Sequence, residues 1–163
     1  PISARAAAIC SASAGEITVS FSGGILELTG TSAADSVSIS GNPVRTVVKA
    51  GFRSALVPAP TFLARKNQVF QNVAEIRYVG NGGADNVQLR ASSVLVNLTG
   101  GNENDTFSLS GPTAGNVTID TGEGDDRVSL QGTAMLNLAA NLGNGVNSLS
   151  LVDTSLSGLD VLG

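Results

Sequence analysis

The sequence predicts an all-β, right-handed parallel β-solenoid with coils of about 21 residues, and three observations predict it. Gly80, Gly101, Gly122 and Gly143 recur every 21 residues, the mark of one supersecondary unit stacked on itself. Each opens a polar turn that closes on Asp or Asn and runs into an alternating strand: Val87-Gln88-Leu89, Phe107-Ser108-Leu109, Val128-Ser129-Leu130 and Leu149-Ser150-Leu151. Period-two alternation puts the apolar pair inside and the Ser or Gln outside. Third, 42% of residues are hydrophobic but only 4% are aromatic, with no Trp, so the core must be built from Val, Leu, Ile and Ala, which suits a thin stack of strands.

The elements follow in chain order within a single domain spanning residues 1–163. Residues 1–15, rich in small apolar side chains from Ala6 to Ala14, read as an N-terminal cap over the first coil or as a processed segment; Cys10, the sole cysteine, can form no internal disulfide. Residues 16–42 hold the first coils, in which Ile25-Leu26-Glu27-Leu28, the turn Gly30 to Asp35 and Val37-Ser38-Ile39 echo the later repeat. Asp35 and Asp85 lie 50 residues apart, two periods and about eight residues more, so residues 43–71 absorb the excess as an irregular insert. Its Pro43, Pro58 and Pro60 are poor residues for a central strand, and a loop or excursion from the stack is expected there.

Residues 72–163 carry the regular repeats. The last polar residue of each turn forms a column, Asp85, Asp105, Asp126 and Asn147, and a second strand precedes each turn at Val94–Leu98, Asn116–Ile119 and Met135–Leu138. About seven coils at the ~4.8 Å strand spacing would stand on the order of 35 Å tall. Glycine suits corners that need positive φ.

The formal net charge of −4 is unevenly distributed. Arg45, Lys49, Arg53, Arg65, Lys66 and Arg77 face a single acid, Glu75, between positions 45 and 77; after Gly80 nine acids face only Arg90 and Arg127. An acidic ladder with a basic insert favours attraction between copies, or of anionic surface glycans to the insert, and the alternative is scattered solvated charge. Acidic repeats and few aromatics argue against nucleic acid. No apolar run approaches the ~18 residues of a membrane span.

The turns Gly80-Asn81-Gly82-Gly83-Ala84-Asp85, Gly100-Gly101-Asn102-Glu103-Asn104-Asp105 and Gly122-Glu123-Gly124-Asp125-Asp126 resemble the nonapeptides of hemolysin-type (RTX-like) calcium-binding repeats, a parallel β-roll of secreted or surface bacterial proteins. The resemblance covers roughly residues 80–151. It implies Ca²⁺ between successive turns, with Asp85, Asp105 and Asp126 as ligands and Asp125 and Glu123 adding oxygens. The repeat here is 21 residues rather than nine, the opposite turns carry no acid, and Asn147 replaces the last aspartate, which confines such sites to one edge. Against the metal stands a simpler role: these carboxylates accept hydrogen bonds from turn amides, where Asn serves as well as Asp.

The absence of His removes Ser-His-Asp and Cys-His machinery and any histidine metal site. Asp125 and Asp126 imitate the acid pair of a β-helical glycan-cleaving enzyme, but adjacent residues on a turn point apart, and no enzyme is expected. The sequons at Asn97, Asn104 and Asn116 matter only in a eukaryotic secretory setting. Two roles are expected to compete. One is a non-enzymatic extracellular structural or adhesive protein, assembling head to tail into fibres or a surface layer because its apolar pattern runs to Leu162 without a charged or proline-bearing cap. The other is a calcium-stabilised RTX-like module of a larger secreted protein.

Overall fold

The computed structural model describes residues 17–42, 44–52, 66–90, 95–111 and 115–163, with backbone alone for 50–52 and 66–68. The described residues form fourteen strands and no helix. In chain order these are β1 (Thr18–Ser22), β2 (Ile25–Thr29), β3 (Asp35–Asn42), β4 (Arg45–Phe52), β5 (Lys66–Phe70), β6 (Glu75–Val79) and β7 (Asn86–Arg90). There follow β8 (Leu95–Asn102), β9 (Thr106–Ser110), β10 (Val117–Glu123), β11 (Arg127–Gln131), β12 (Ala134–Asn141), β13 (Ser148–Val152) and β14 (Ser155–Leu162).

Two seven-stranded sheets hold them, in the orders β1-β2-β6-β8-β10-β12-β14 and β5-β4-β3-β7-β9-β11-β13. From β6 onward the chain alternates between sheets, and the runs β2-β6-β8-β10-β12-β14 and β3-β7-β9-β11-β13 are parallel throughout, so the expected β-solenoid with coils of about 21 residues is the fold. Burial follows the predicted alternation, as in β7, where Val87 and Leu89 are buried and Asn86, Gln88 and Arg90 are exposed. Like residues stack on like: Ile76, Val96, Val117 and Leu138 form one inward column, Val87, Phe107 and Val128 another. Tyr78 and Phe107 meet edge to face at 6.4 Å inside this aliphatic core.

The register corrects three expectations. The parallel stack is about four turns rather than seven, because the first strands of both sheets are antiparallel additions. β1 folds back on β2, and β4 and β5 extend the other sheet beyond β3. Much of the insert is therefore sheet, not excursion: Thr46 and Val48 are buried against the core, while Pro43 and the Pro58-Ala59-Pro60 segment lie outside the described residues, as does Cys10. The glycine series also divides in two. Val79 pairs with Thr99, so Gly80 stacks beneath Gly100, whereas Gly101, Gly122 and Gly143 stack above Asn81. The coil from Ile76 to Val96 is 20 residues long and the later ones are 21, which shifts the glycine by one place. Asn81 meets the corner's need for positive φ, at 75°.

The two ends of the described stack differ. At the first, Phe21 of β1 and Phe70 of β5 reach across from opposite sheets with ring centroids 5.5 Å apart, closing over the core. At the other, the inward columns lose their cover: Leu138 is 1% exposed but Leu159, its partner one coil on, is 55% exposed.

Candidate functional site

The column of turn-closing residues is the most unusual chemistry in the molecule, and it lies inside. Asp35, Asp85, Asp105 and Asp126 are all buried. They form a ladder in which each backbone amide donates to the side chain one coil on: Asp35 to Asp85 Oδ1 (2.9 Å), Asp85 to Asp105 Oδ1 (2.8 Å), Asp105 to Asp126 Oδ1 (2.7 Å) and Asp126 to Asn147 Oδ1 (2.8 Å). The carboxylates thus accept turn amides across coils, and Asp35 accepts one within its own turn as well. A buried amide without a partner is costly, and each carboxylate removes that cost for the coil before it.

The second oxygen of each carboxylate points across the corner, and its partner changes along the stack. Asp35 Oδ2 accepts from the Thr31 amide (2.6 Å), and Asp85 Oδ2 from the Tyr78 hydroxyl (2.8 Å). Asp105 Oδ2 and Asp126 Oδ2 are buried with no partner among the described residues. Facing the first three carboxylates are Gly30, Gly80 and Gly100, five residues earlier in the chain; a Cβ on any of them would overlap the Oδ2 atom. Thr121 and Leu142 continue that facing column in the later coils. Asn147 behaves differently from the acids below it. Its Oδ1 accepts as theirs do, but its Nδ2 donates to the Leu142 carbonyl, so the final rung is neutral and closes on its own turn.

Burial dominates the electrostatics of the ladder. Desolvation pushes Asp85 up to about 6 despite the Asp35 amide and the Tyr78 hydroxyl, which favour its charged form. Asp105 is pushed up to about 7, first by burial and then by the Asp85 and Asp126 charges, against the pull of the Asp85 amide. Asp35 is also raised by burial, the Thr31 bonds opposing the shift. Burial and the adjacent Asp85 hold the Tyr78 phenol protonated far above its ordinary range. Asp35, Asp85 and Asp105 thus stand in a file whose surroundings favour their neutral forms.

A second, outward ladder runs beside it with the opposite sense. Asn104 Oδ1 accepts from the Asp125 amide (2.8 Å), and Asp125 Oδ1 from the Val146 amide (2.8 Å), all at exposed positions. Asp125 and Asp126 therefore point to opposite sides of one turn, Asp125 exposed and Asp126 buried. Asparagines on the outer face of the first sheet make similar rungs: Asn97 donates to Glu75 (2.7 Å), Asn137 to Asn116 (3.0 Å) and Asn141 to Asp120 (3.2 Å). Two of the three sequon asparagines are thus engaged on this face, and Asn104 on the turn.

The five residues that the RTX-like resemblance implied as Ca²⁺ ligands fall into two sets. Asp85, Asp105 and Asp126 are in the interior, and Glu123 and Asp125 are outside. Calcium takes about six to eight oxygens. Among the described residues no three His, Cys, Asp or Glu side chains converge as such a group. The two orphaned oxygens, Asp105 Oδ2 and Asp126 Oδ2, begin a shell that the surrounding side chains do not complete. Of the basic residues, Arg45 and Lys49 are exposed and Arg77 pairs with Glu75 at 2.5 Å; the side chains of Arg53, Arg65 and Lys66 lie outside the described ones.

Sequence reasoning missed Asp35 as a full rung, Tyr78 as a donor and Asn104 as an acceptor. The signal for Asp35 was present as a fixed offset of five residues, Gly30 with Asp35, Gly80 with Asp85 and Gly100 with Asp105. That offset pairs these three buried carboxylates with the glycines that make room for them. No protein-family model, curated protein or solved structure matches the chain.

Proposed function

We propose that this chain is a non-enzymatic structural or adhesive repeat protein of the cell exterior, whose copies associate into a fibre or surface layer. The observation that carries the reading is the apolar face at the β13–β14 end of the described stack, which another copy or a further coil of the same repeat would cover. Leu151, Leu159 and Val161 occupy inward columns and are 37%, 55% and 42% exposed, where their counterparts Leu130, Leu138 and Ala140 are buried. An apolar face bordered by the free edges of two parallel sheets is a template for more β-structure. The location outside the cell rests on the resemblance of the turns to secreted repeats, and the absence of catalysis on the lack of His and on an acid pair that points apart. Electron microscopy of purified native material tests the reading: long uniform fibres support it, and compact particles at every concentration overturn it.

A calcium-stabilised module of a larger secreted protein is the second reading, favoured by the orphaned oxygens of Asp105 and Asp126. Chelator-treated protein that melts several degrees higher on adding Ca²⁺, with a calorimetric binding heat, supports it. No heat and no change in melting remove it.

A further inference from the structure

The two sheets present outer faces of opposite character. Arg45 and Lys49 on β4, Arg90 on β7 and Arg127 on β11 are exposed on the outer face of the β5-β4-β3-β7-β9-β11-β13 sheet, and among the described residues that face holds no acid. Asp35, the one acid in its strands, is buried, and the exposed acids lie on the other sheet or in turns. Strand register locates the four cations. Arg90 and Arg127 are two strands and four residues apart, roughly 16 Å; Arg45 and Lys49 lie two strands to the other side of Arg90, each roughly 12 Å from it. Arg127, Arg90 and Arg45 thus mark an oblique line of roughly 28 Å across five strands. Arg90 and Arg127 stand in the middle of the stack, on strands with parallel neighbours at both sides.

Between the cations the sheet offers hydroxyls and amides. Ser38, Ser40, Gln88, Ser108 and Ser129 point outward there, and among the described residues their side chains make no hydrogen bond. The other outer face is engaged with itself, Asn97 and Arg77 on Glu75, Asn137 on Asn116 and Asn141 on Asp120. Fixed cations separated by free hydroxyls and amides complement a chain that carries anions at intervals with hydroxyl groups between them, which is the chemistry of an acidic polysaccharide. The three arginines suit its sulfate or carboxylate groups, which a guanidinium holds by two parallel bonds. Other polyanions fit less well. Among the described residues no aromatic side chain lies on this face, so single-stranded nucleic acid finds no stacking platform and a protein partner no aromatic anchor. A second copy would bring its own acidic face, where Glu75 and Asp120 already have partners.

We propose that the outer face of this sheet binds an acidic polysaccharide, which lies obliquely across the strands with its anionic groups on Arg127, Arg90, Arg45 and Lys49 and its hydroxyls on the serines and Gln88 between them. The proposal rests on the adhesive part of the reading above and names the ligand class and the surface. The cations supply long-range attraction and the intervening polar rows hold the chain in register.

The test measures binding of the 163-residue chain to dextran sulfate and polygalacturonate, with unsulfated dextran, duplex DNA and phosphatidylserine vesicles as the competing arms. At least one of the two acidic polysaccharides is expected to bind, several-fold more weakly when salt is raised, while neutral dextran does not. Arg90→Gln/Arg127→Gln, checked for sheet content by circular dichroism, should weaken that binding about tenfold. Arg77→Gln, the same loss of charge on the other sheet, should leave it unchanged. If the double variant misfolds, Lys49→Gln takes its place, with a several-fold loss expected. Binding to neither acidic polysaccharide, equal losses from Arg77→Gln, unchanged binding by the face variants, or tighter binding to DNA or vesicles overturns the proposal. So does salt-sensitive self-association that the face variants abolish, which would assign the face to a second copy. Fibres that bind neither polysaccharide overturn this proposal alone, and compact particles that bind one overturn the self-association reading alone.

Discussion

Two ladders climb the same turns, one inside and one outside, and they use the same bond for opposite purposes. Inside, Asp105 and Asp126 satisfy amides that water cannot reach; outside, Asn104 and Asp125 satisfy amides that water could serve equally well. The bond lengths are alike, 2.7 to 2.8 Å. Their consequences are not, because the penalty for leaving a donor unpaired depends on burial rather than on the bond. The inner ladder also places carboxylates in a low-dielectric file, which the outer one avoids. The contrast identifies which residues hold coil to coil and under what conditions they do so.

The largest expected effect is on pH dependence. Between about pH 4 and pH 7 the folded chain retains protons on Asp85 and Asp105 that the unfolded chain has released, so raising the pH favours unfolding. The contribution is fully present below the ordinary carboxylate value, near 3.8, and is lost as the pH rises through about 6 and then about 7. Each tenfold change in a protonation equilibrium is worth ~1.4 kcal/mol, so the two groups together contribute several kcal/mol. Urea unfolding measured from pH 4 to 8 should show that decline, and a flat profile would show that the inner ladder stays hydrated. Asp105→Asn sharpens the test. Asn147 demonstrates the geometry, accepting an amide through Oδ1 and donating through Nδ2 to the carbonyl five residues earlier, which for position 105 is Gly100. The variant should be more stable than the unsubstituted chain at pH 8 and have a weaker pH slope.

How much of this could be read beforehand depended on whether a residue's role was periodic. The strands around Val87, Phe107, Val128 and Leu149 were legible because apolar alternation and a repeated turn specify both the strand and its inward face. The aspartate column was legible as a column but not as an interior feature. A polar turn ordinarily lies at the surface, and only the i, i+5 glycine shows that the carboxylate folds inward. The antiparallel strands at the first end were hidden for the converse reason. β4 and β5 occur once, so no repeat marks them, and their basic residues and the prolines beside and between them suggest a loop. Tyr78 was hidden within its own alternating strand, where only the distance to Asp85 reveals a polar duty for a buried ring.

The next effect concerns the space that the inner ladder needs. Gly100 faces both Asp105 Oδ2 and the Thr121 carbonyl, and a methyl group there would overlap both. The carbonyl belongs to the neighbouring strand and cannot move aside without breaking the sheet. Gly100→Ala is therefore expected to cost about 3 kcal/mol by urea unfolding. Gly132→Ala, where nothing lies within 4 Å but φ is +60°, should cost only the backbone strain, about 1 kcal/mol. Equal losses at the two sites would mean that the corner around Asp105 has slack.

The smallest effect is the outer counterpart. Asp125→Ala removes the acceptor of the Val146 amide, but both positions are exposed and water can replace the carboxylate, so the expected loss is about 0.5 kcal/mol. Asp126→Ala, one residue along the same turn, leaves the Asp105 amide buried without an acceptor and should cost about 2 kcal/mol at pH 5. The relation between the two should change with pH. Asp126 is a source of the charge that raises Asp105, so removing it relieves that repulsion as well as breaking a bond, and part of its cost should disappear by pH 8. Asp125 has no such second role, and its small cost should stay constant. A pH-dependent loss at 125, or a constant one at 126, would mean that the two ladders are coupled through the turn they share rather than divided by it.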